Sequence, residues 1–237
     1  MKISATVVCG NEEANIADCL ESVRWCDELV VVDSLSTDRT PEIARRYTER
    51  LIQRPWAGYV AQKQFALDQA TGDWVLHLDA DERCTPELRA RERRHVHYLG
   101  RWIDHGGWYP DWKLRVVRRG RARWTGTDPH DRLAAEGPVA RLEADLVHYT
   151  YRDFAHQLRT VERFAEVVAL GWQKDGRRFS LADAVFHPPA KFLECYVWKQ
   201  GFRDGWAGFV IAVTSAFYVF AKQVKLREKQ GNGAPPR

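Results

Sequence analysis

The sequence has few cysteines, and their arrangement excludes two classes of site. The 237 residues include five cysteines, which are Cys9, Cys19, Cys26, Cys84 and Cys195. Their number is odd, and they are scattered without the paired spacing of a zinc site. Neither a disulfide framework nor a structural zinc is therefore expected. Reduced thiols of this kind are typical of a cytosolic protein.

Other common patterns are also missing. The fingerprint G-x-G-x-x-G does not follow the first apolar run, where Gly10 stands alone, and this disfavours an NAD-dependent oxidoreductase. Met1 and Lys2 lead directly into that run, and no small-residue cleavage site follows it, so no signal peptide is expected.

One stretch of the chain lacks acidic residues, although the formal net charge is only +4. Between Lys113 and Arg123 there are six basic residues and no acid. This run indicates an anionic ligand or surface close to the segment. A nucleic-acid binder is disfavoured, because the chain carries 32 acids elsewhere and no known binding motif.

Acidic residues instead crowd at the end of one apolar run. Trp74 to Leu78 reads as a short strand, and Asp79, Asp81 and Glu82 follow it directly. Ligands of open α/β folds bind at the carboxyl ends of parallel strands. Crowded carboxylates repel one another there, and a divalent cation such as Mg²⁺ or Mn²⁺ removes that repulsion. The pattern predicts a metal-assisted enzyme that acts on a nucleotide-diphosphate substrate.

Apolar runs alternate with helical patterns through the first part of the chain. Strands are predicted at Ile3 to Val8, at Leu29 to Val32 and near Leu51, with helices between them and a further helix at about Val60 to Ala70. This alternation predicts an α/β fold with a mostly parallel sheet covered by helices on both faces. From Arg83 to Arg101 no clear strand is predicted.

The later part of the chain is helical in pattern. Phe154 to Leu170 predicts an amphipathic helix, and Trp206 to Ala221 is an uncharged run of 16 residues. As a helix, that run would span only about 24 Å, less than the hydrocarbon core of a membrane. Basic residues flank it on both sides, so helices in the membrane interface are expected. A buried core helix is the alternative.

The ordered set of motifs resembles the family 2 glycosyltransferases, which have the GT-A fold. The nucleotide half of that family is similar to strand one with Asn11-Glu12-Glu13, to Val31-Val32-Asp33-Ser34, and to Leu78-Asp79-Ala80-Asp81-Glu82. Gly107-Trp108-Tyr109-Pro110-Asp111, Pro129-His130-Asp131 and Leu146-Val147-His148-Tyr149 resemble the WaaE/KdtX-like β-1,4-glucosyltransferases of the lipopolysaccharide core.

The resemblance implies roles for residues of the nucleotide half. Asp33 is expected to contact the uracil, and Glu12 or Glu13 the nucleoside, with Asp38 bracing the loop. Asp81 is expected to bind a divalent metal, Mg²⁺ or Mn²⁺, while Asp79 meets the ribose or the metal through water. Lys63 is expected either to reach a phosphate or to lie on a helix surface. Arg115 is expected to hold the diphosphate or an anionic acceptor.

An inverting transferase also needs a carboxylate on the acceptor side. By resemblance Asp131 is the expected general base, with Asp128 and Asp111 as rivals. His130 and His148 are each expected to be either a site residue or a structural one, and for His148 the structural role is favoured. The chain between Asp81 and Gly107 is shorter than in the related enzymes, so a strand or helix is expected to be missing or displaced there.

The expected organisation follows from these assignments. Residues 1–150 would form the GT-A domain, with a nucleotide half at 1–82 and an acceptor half at 100–150. Residues 151–230 would form a helical, membrane-associating region, and 231–237 a disordered tail. The expected donor is a UDP-sugar, and the expected acceptor a lipid-linked saccharide. The expected location is cytoplasmic, on the inner face of the cytoplasmic membrane. A polyprenyl-phosphate glycosyltransferase and a non-catalytic membrane-associated protein of the same fold remain alternatives.

Overall fold

A computed structural model describes residues 1–85, 93–128, 130–140 and 145–231. The chain divides into two compact units. The first unit consists of Met1–Arg94 and Trp112–His148, and the second of His95–Asp111 and the chain from Tyr149 onward. The units divide the chain differently from the predicted halves, because part of the expected acceptor half belongs with the C-terminal helices.

A five-stranded sheet forms the centre of the first unit, in the order β3-β2-β1-β4-β8. The first four of these strands are parallel, and only β8 runs antiparallel to its neighbour β4. The strands are β1 (Ile3–Cys9), β2 (Glu28–Asp33), β3 (Leu51–Gln53), β4 (Trp74–Asp79) and β8 (Val116–Arg118). The predicted α/β fold with a mostly parallel sheet is confirmed.

Helices cover both faces of this sheet, because alternate residues of each strand point to opposite faces. The helices are α1 (Ile16–Ser22), α2 (Thr40–Ala44) and α3 (Tyr59–Gln69). Val7 of β1 belongs to the same buried cluster as Ile16 and Leu20 of α1. Val8, the next residue of β1, is in the buried cluster of Ala66 from α3. Near-continuous burial of this kind explains the valine-rich strands.

The strand register brings the polar strand ends to one edge of the sheet. Cys9 at the end of β1 lies opposite Asp33, and Val8 lies opposite Asp79. Asp33 and Asp79 therefore end neighbouring strands on either side of β1. All five cysteines are free thiols, as predicted.

Two antiparallel strand pairs complete the first unit. The strands β5 (Glu82–Cys84) and β11 (Asp145–His148) form one pair, and β9 (Ala122–Thr127) and β10 (His130–Ala135) form the other. The prediction of no strand after Arg83 is wrong, because β5 lies there and a further strand, β6, begins at Arg93. Residues 86–92 lie outside the described residues. The basic run from Lys113 to Arg123 ends within β9.

A hairpin opens the second unit. Strands β6 (Arg93–Tyr98) and β7 (Arg101–Ile103) are antiparallel, with Tyr98 opposite Arg101. The two turn residues Leu99 and Gly100 have φ of 47° and 76°. Positive φ at both positions is the geometry of a type I′ turn, which matches the twist of the two strands.

Three long helices form the rest of the second unit. They are α4 (Phe154–Lys174), α5 (Leu181–Leu193) and α6 (Gly205–Gly231). Caps explain where two of them begin: the Asp153 carboxylate accepts from His156 N at 2.6 Å, and Ser180 Oγ accepts from Asp183 N at 3.1 Å. A π-helical turn at Glu194–Trp198 and a 3₁₀ turn at Gly201–Asp204 connect α5 to α6.

The last helix is longer than the uncharged run that predicts it. Its 27 residues span about 40 Å, because lysine, glutamine, glutamate and arginine after Ala221 are good helix formers and continue it. Within the described residues, Gly201–Gly231 is the one helical stretch whose length and mean hydropathy of 1.5 are sufficient to cross a membrane. A core helix of a soluble protein can meet the same criteria. The predicted disordered tail lies outside the described residues, except for Gly231.

A close backbone approach determines the start of α6. A Cβ at Gly208 would lie 1.8 Å from the backbone oxygen of Gly201. We therefore expect Gly208→Ala to lower the free energy of unfolding by about 2 kcal/mol, because the backbone at Gly201 would have to shift to make room for the methyl group. At Gly171 of α4 a Cβ would meet no described atom within 4 Å. There the same change should stabilise by about 0.5–1 kcal/mol. Urea unfolding of both variants tests this, and equal effects would contradict it.

Candidate active site

Two loops join at the carboxyl edge of the sheet. The loop after β1 and the loop after β2 exchange hydrogen bonds: Asn11 N donates to Ser36 Oγ at 2.8 Å, and Thr37 N donates to Asn11 Oδ1 at 2.8 Å. Glu12 N donates to Thr40 Oγ1 at 2.7 Å. The Glu12 carboxylate accepts from Asn15 Nδ2 at 2.8 Å. These bonds hold the predicted nucleoside-binding acid in place beside the second loop.

Asp38 and Asp33 brace the second loop. Asp38 accepts from Thr40 N at 2.9 Å and from Glu13 N at 3.1 Å, which places it in the bracing position that the resemblance implies. Burial raises the pKa of Asp38, but these hydrogen bonds outweigh it and hold the pKa below its usual value. Asp33 is fully buried and accepts from Ser36 N at 3.1 Å and from Gln53 Nε2 at 2.9 Å. Its contact with uracil stays a prediction.

Lys63 connects two carboxylates that are distant in sequence. Its Nζ lies 2.8 Å from Asp79 Oδ1 and 2.9 Å from Asp131 Oδ2. The Lys63 side chain is 8% exposed and the Asp131 side chain 10%. The alternative that Lys63 lies on a helix surface is therefore wrong. Helix α3 and strand β10 place the predicted phosphate ligand and the predicted base beside the acidic strand end.

The electrostatics of this group favour the charged forms. Burial lowers the pKa of the Lys63 ammonium, but Asp79 and Asp131 outweigh burial and hold the pKa above its usual value. Burial raises the pKa of Asp79, whereas Lys63, His77 and Arg115 lower it, and the result lies well below the usual value. Asp79 is therefore ionised and Lys63 protonated throughout the neutral range.

Arg115 and Glu82 form a second buried ion pair next to Asp79. Arg115 Nη2 lies 2.6 Å from Glu82 Oε1 and 3.4 Å from Asp79 Oδ2. The other oxygen of Glu82 accepts from Asp79 N at 2.9 Å. Both side chains are almost fully buried. In this structure Arg115 braces the acidic strand end, and its contact with a diphosphate stays a prediction.

Asp81 faces a histidine from a neighbouring strand. Its Oδ2 lies 2.9 Å from His148 Nε2, and the Asp81 side chain is 25% exposed. The pairing of β11 with β5 brings the two together, because His148 lies opposite Glu82 in that register. His148, for which a structural role is favoured by the sequence, therefore lies beside the predicted metal ligand.

The Asp81–His148 pair fits a divalent metal. A carboxylate oxygen and an imidazole nitrogen converge here. The carboxylate suits Mg²⁺ or Mn²⁺, which nucleotide enzymes commonly bind by one or two carboxylates plus substrate phosphates. Among the described residues there is no cluster of three metal-binding side chains.

The rivals of Asp131 occupy other positions. Asp128 accepts from Val60 N at 3.2 Å and so caps the first turn of α3. A Cβ at Gly58, where φ is 99°, would lie 2.4 Å from Asp128 Oδ2, so only glycine fits beside this cap. Asp111 belongs to the second unit. Pro129 and the side chain of His130 lie outside the described residues.

Sequence reasoning missed three residues around this group. Glu82 was read only as part of an acid cluster, although it neutralises Arg115. His77 is fully buried, and its Nδ1 lies 3.0 Å from Thr6 Oγ1. Burial lowers the pKa of His77, so its ring is neutral at pH 7. Trp124 of β9 lies 4.8 Å from the His77 ring and 4.9 Å from Lys63 Nζ. A histidine in an otherwise apolar strand was the one available signal.

Comparisons with known proteins identify the family of this chain. A profile of the family "Glycosyl transferase family 2" matches residues 4–93. The lipopolysaccharide core biosynthesis glycosyltransferase LpsC of Rhizobium meliloti is 31% identical over 258 residues, covering 100% of this chain and 96% of LpsC. The Rickettsia conorii glycosyltransferase RC0292 is 45% identical over 260 residues, covering 96% of this chain and 90% of that protein.

Solved structures match only part of the chain. Glucosyl-3-phosphoglycerate synthase from Mycobacterium tuberculosis, in a crystal with Mn²⁺ and UDP, is 24% identical with a TM-score of 0.33. The match covers 40% of this chain and 44% of that structure. The family match and the full-length similarity to LpsC show that the chain belongs to glycosyltransferase family 2.

Proposed function

We propose that this chain is a metal-assisted, inverting glycosyltransferase that transfers a hexose, in the first place glucose, from a UDP-sugar to a lipid-linked saccharide. The acceptor class follows from its similarity to LpsC, whose name assigns it to lipopolysaccharide core biosynthesis. The proposed location is the inner face of the cytoplasmic membrane, where such an acceptor is anchored.

One observation carries the proposal: the acidic residues at the end of β4 belong to two separate groups of side chains. Asp81 and His148 form a pair that fits a metal, and Lys63 joins Asp79 to Asp131. A glycosyl transfer from a diphosphate donor needs these two functions, positive charge for the leaving group and a carboxylate for the attacking hydroxyl.

The chain's own residues have distinct tasks in this reaction. Asp81 and His148 would hold the divalent ion, which when bound neutralises the charge that develops on the departing diphosphate. Asp33 and Glu12 would orient the nucleoside. The Asp131 carboxylate would accept the proton of the acceptor hydroxyl as that oxygen attacks the anomeric carbon, and inversion follows from attack opposite the leaving group.

Lys63 would position the base and balance charge. Its ammonium holds the Asp131 carboxylate by one oxygen, Oδ2, at 2.9 Å. The other carboxylate oxygen is the atom proposed to take the proton.

The test is calorimetric titration with UDP in the presence and absence of Mn²⁺. We expect metal-dependent binding, and Asp81→Ala and His148→Ala should each weaken it by at least about tenfold, since each removes a metal ligand. His95→Ala, a histidine change in the second unit, is the control and should leave UDP binding unchanged. Binding that is equally strong without metal, or that survives both ligand changes, would contradict the proposed site.

A further inference from the structure

A cavity of about 420 Å³ lies among the three long helices of the second unit. Trp172 of α4 and Arg177 just after it form one wall, and His187 and Lys191 of α5 form another. Lys222 and Gln223 of α6 also line it. Four of the ten lining residues are basic and one, Glu194, is acidic, and the transfer reaction proposed above uses none of them.

Positive charge in this cavity is only partly balanced. Arg177 pairs with Asp183 at 3.3 Å, and Lys191 pairs with Glu194 at 2.9 Å. Lys222 has no carboxylate within 4 Å in the described part of the chain, and its Nζ instead lies 4.5 Å from the centre of the Tyr218 ring. Burial, and then the charges of Arg177 and Lys191, lower the pKa of the Lys222 ammonium. An anion would relieve this repulsion.

A buried amide in the cavity also lacks part of its hydrogen bonding. Gln223 is 2% exposed, and its Nε2 donates to Asp183 Oδ2 at 3.4 Å. Its Oε1 has no donor among the described residues. A buried acceptor without a donor is costly, so a ligand that brings a hydroxyl would be favoured. The cavity therefore suits a ligand that carries both negative charge and hydroxyl groups.

The surface around the cavity is apolar and exposed. Trp198 lines the cavity and is 72% exposed, and Phe186, which directly precedes His187, is 70% exposed. Leu181 and Val185 of the same helix are also exposed. Exposed apolar groups beside basic side chains are the features of a surface that lies on an anionic membrane.

We propose that the cavity among α4, α5 and α6 binds the headgroup of an anionic phospholipid, with Lys222, Arg177 and Lys191 facing the phosphate. Gln223 Oε1 would accept from a headgroup hydroxyl, while Trp198 and Phe186 would enter the interface beside it. This inference rests on the membrane location in the proposed function, and it does not depend on the donor or on the transfer chemistry.

Co-sedimentation of the full chain with vesicles tests the proposal. We expect stronger binding to vesicles of phosphatidylcholine with phosphatidylglycerol than to phosphatidylcholine alone. Lys222→Gln should weaken the phosphatidylglycerol-dependent part by about tenfold, because it removes a charged hydrogen bond to the phosphate. Lys222→Arg should retain most of the binding, because it keeps the positive charge.

Lys225→Gln is the matched control. It makes the same change on the same helix, but Lys225 already pairs with Glu162 and Glu166. The affinity of Lys225→Gln for the vesicles should stay within about twofold of that of the unchanged protein. The two glutamates already balance the charge of Lys225, so this lysine attracts an anionic surface only weakly. Equal losses in the two variants would indicate diffuse attraction and would overturn the proposal, as would no loss in either.

Two further measurements separate the possible ligands and the two proposals. If glycerol 3-phosphate in solution binds as tightly as the vesicles do, the site recognises a free phosphate ester, and the lipid assignment is overturned. UDP titration of Lys222→Gln should match the unchanged protein. Loss of vesicle binding with intact UDP binding supports the headgroup site, whereas absent UDP binding in the unchanged protein would contradict only the proposed transferase.

Discussion

Asp131→Asn should lower the rate of hexose transfer by about 10²–10⁴-fold, the range that a general base contributes. UDP binding should persist, because the proposed metal ligands Asp81 and His148 remain. Lys63 keeps its contact with Asp79 at 2.8 Å, so the fold around it should also persist. Release of UDP from UDP-glucose, with a lipopolysaccharide-core acceptor present, measures the rate.

Asp128→Asn is the matched control for this prediction. Asp128 caps α3, and asparagine caps a helix as well as aspartate does, so both stability and transfer should stay close to those of the unchanged protein. Asp131→Asn should keep UDP binding and lose transfer, whereas Asp128→Asn should keep both, and this contrast separates loss of a base from loss of the donor site. If Asp131→Asn still transfers while Asp111→Asn does not, the base is Asp111.

Lys63→Met should lower the free energy of unfolding at pH 7 by about 3 kcal/mol, the lower end of the range for removing one partner of a buried ion pair. The change leaves the Asp79 and Asp131 carboxylates without their shared cation. Arg115, 3.4 Å from Asp79, compensates in part. The thioether chain fills a similar volume, so little of the loss should come from packing. Urea unfolding measures the difference.

The decrease in the free energy of unfolding caused by Lys63→Met should depend on pH. The pKa of Asp79 is lowered in the folded protein, so its stabilisation is present above the unfolded value of about 3.9 and is lost as pH falls through the lower folded pKa. The pKa of Lys63 is raised, so its contribution is present below the unfolded value of about 10.4 and is lost as pH rises through the higher folded pKa.

The difference between Lys63→Met and the unchanged protein should therefore be constant from about pH 5 to pH 9 and should narrow below about pH 4. Lys2→Met is the control, because Lys2 is exposed at the start of the same unit and surface changes usually stay within about 0.5 kcal/mol. If Lys63→Met lowers the free energy of unfolding no more than Lys2→Met does, the contacts of Lys63 with Asp79 and Asp131 add nothing to stability.

The nucleotide half could be read in large part from local patterns. Apolar runs at Leu29 and Trp74, separated by helical segments, predict parallel strands because each pattern depends only on neighbouring residues. The acids that follow the strands then have to meet at one edge, and Asp33 and Asp79 do lie at the ends of strands that flank β1. The free cysteines were predicted from composition in the same way.

Strands β6 and β9 could not be read in this way. The sequence of β6 is rich in arginine and histidine, whereas β9 contains Arg123 and Gly126 and only one large apolar residue, Trp124. Strands of this kind form because a partner strand supplies hydrogen bonds, and the partner is a property of the fold. The full length of α6 was also missed, because charged residues end a hydrophobic pattern without ending a helix.

The sequence by itself contains the apolar runs and the acids that follow β4. These determine the α/β class and predict metal-assisted chemistry on a nucleotide diphosphate. The tertiary structure decides which acids share a partner. Lys63 and Asp131 are 68 positions apart and Asp81 and His148 are 67 apart, and only the packing of α3 on β10 and the β5–β11 register bring them within 3 Å. Local propensity carries no information on contacts at such separations, because they depend on how whole elements pack.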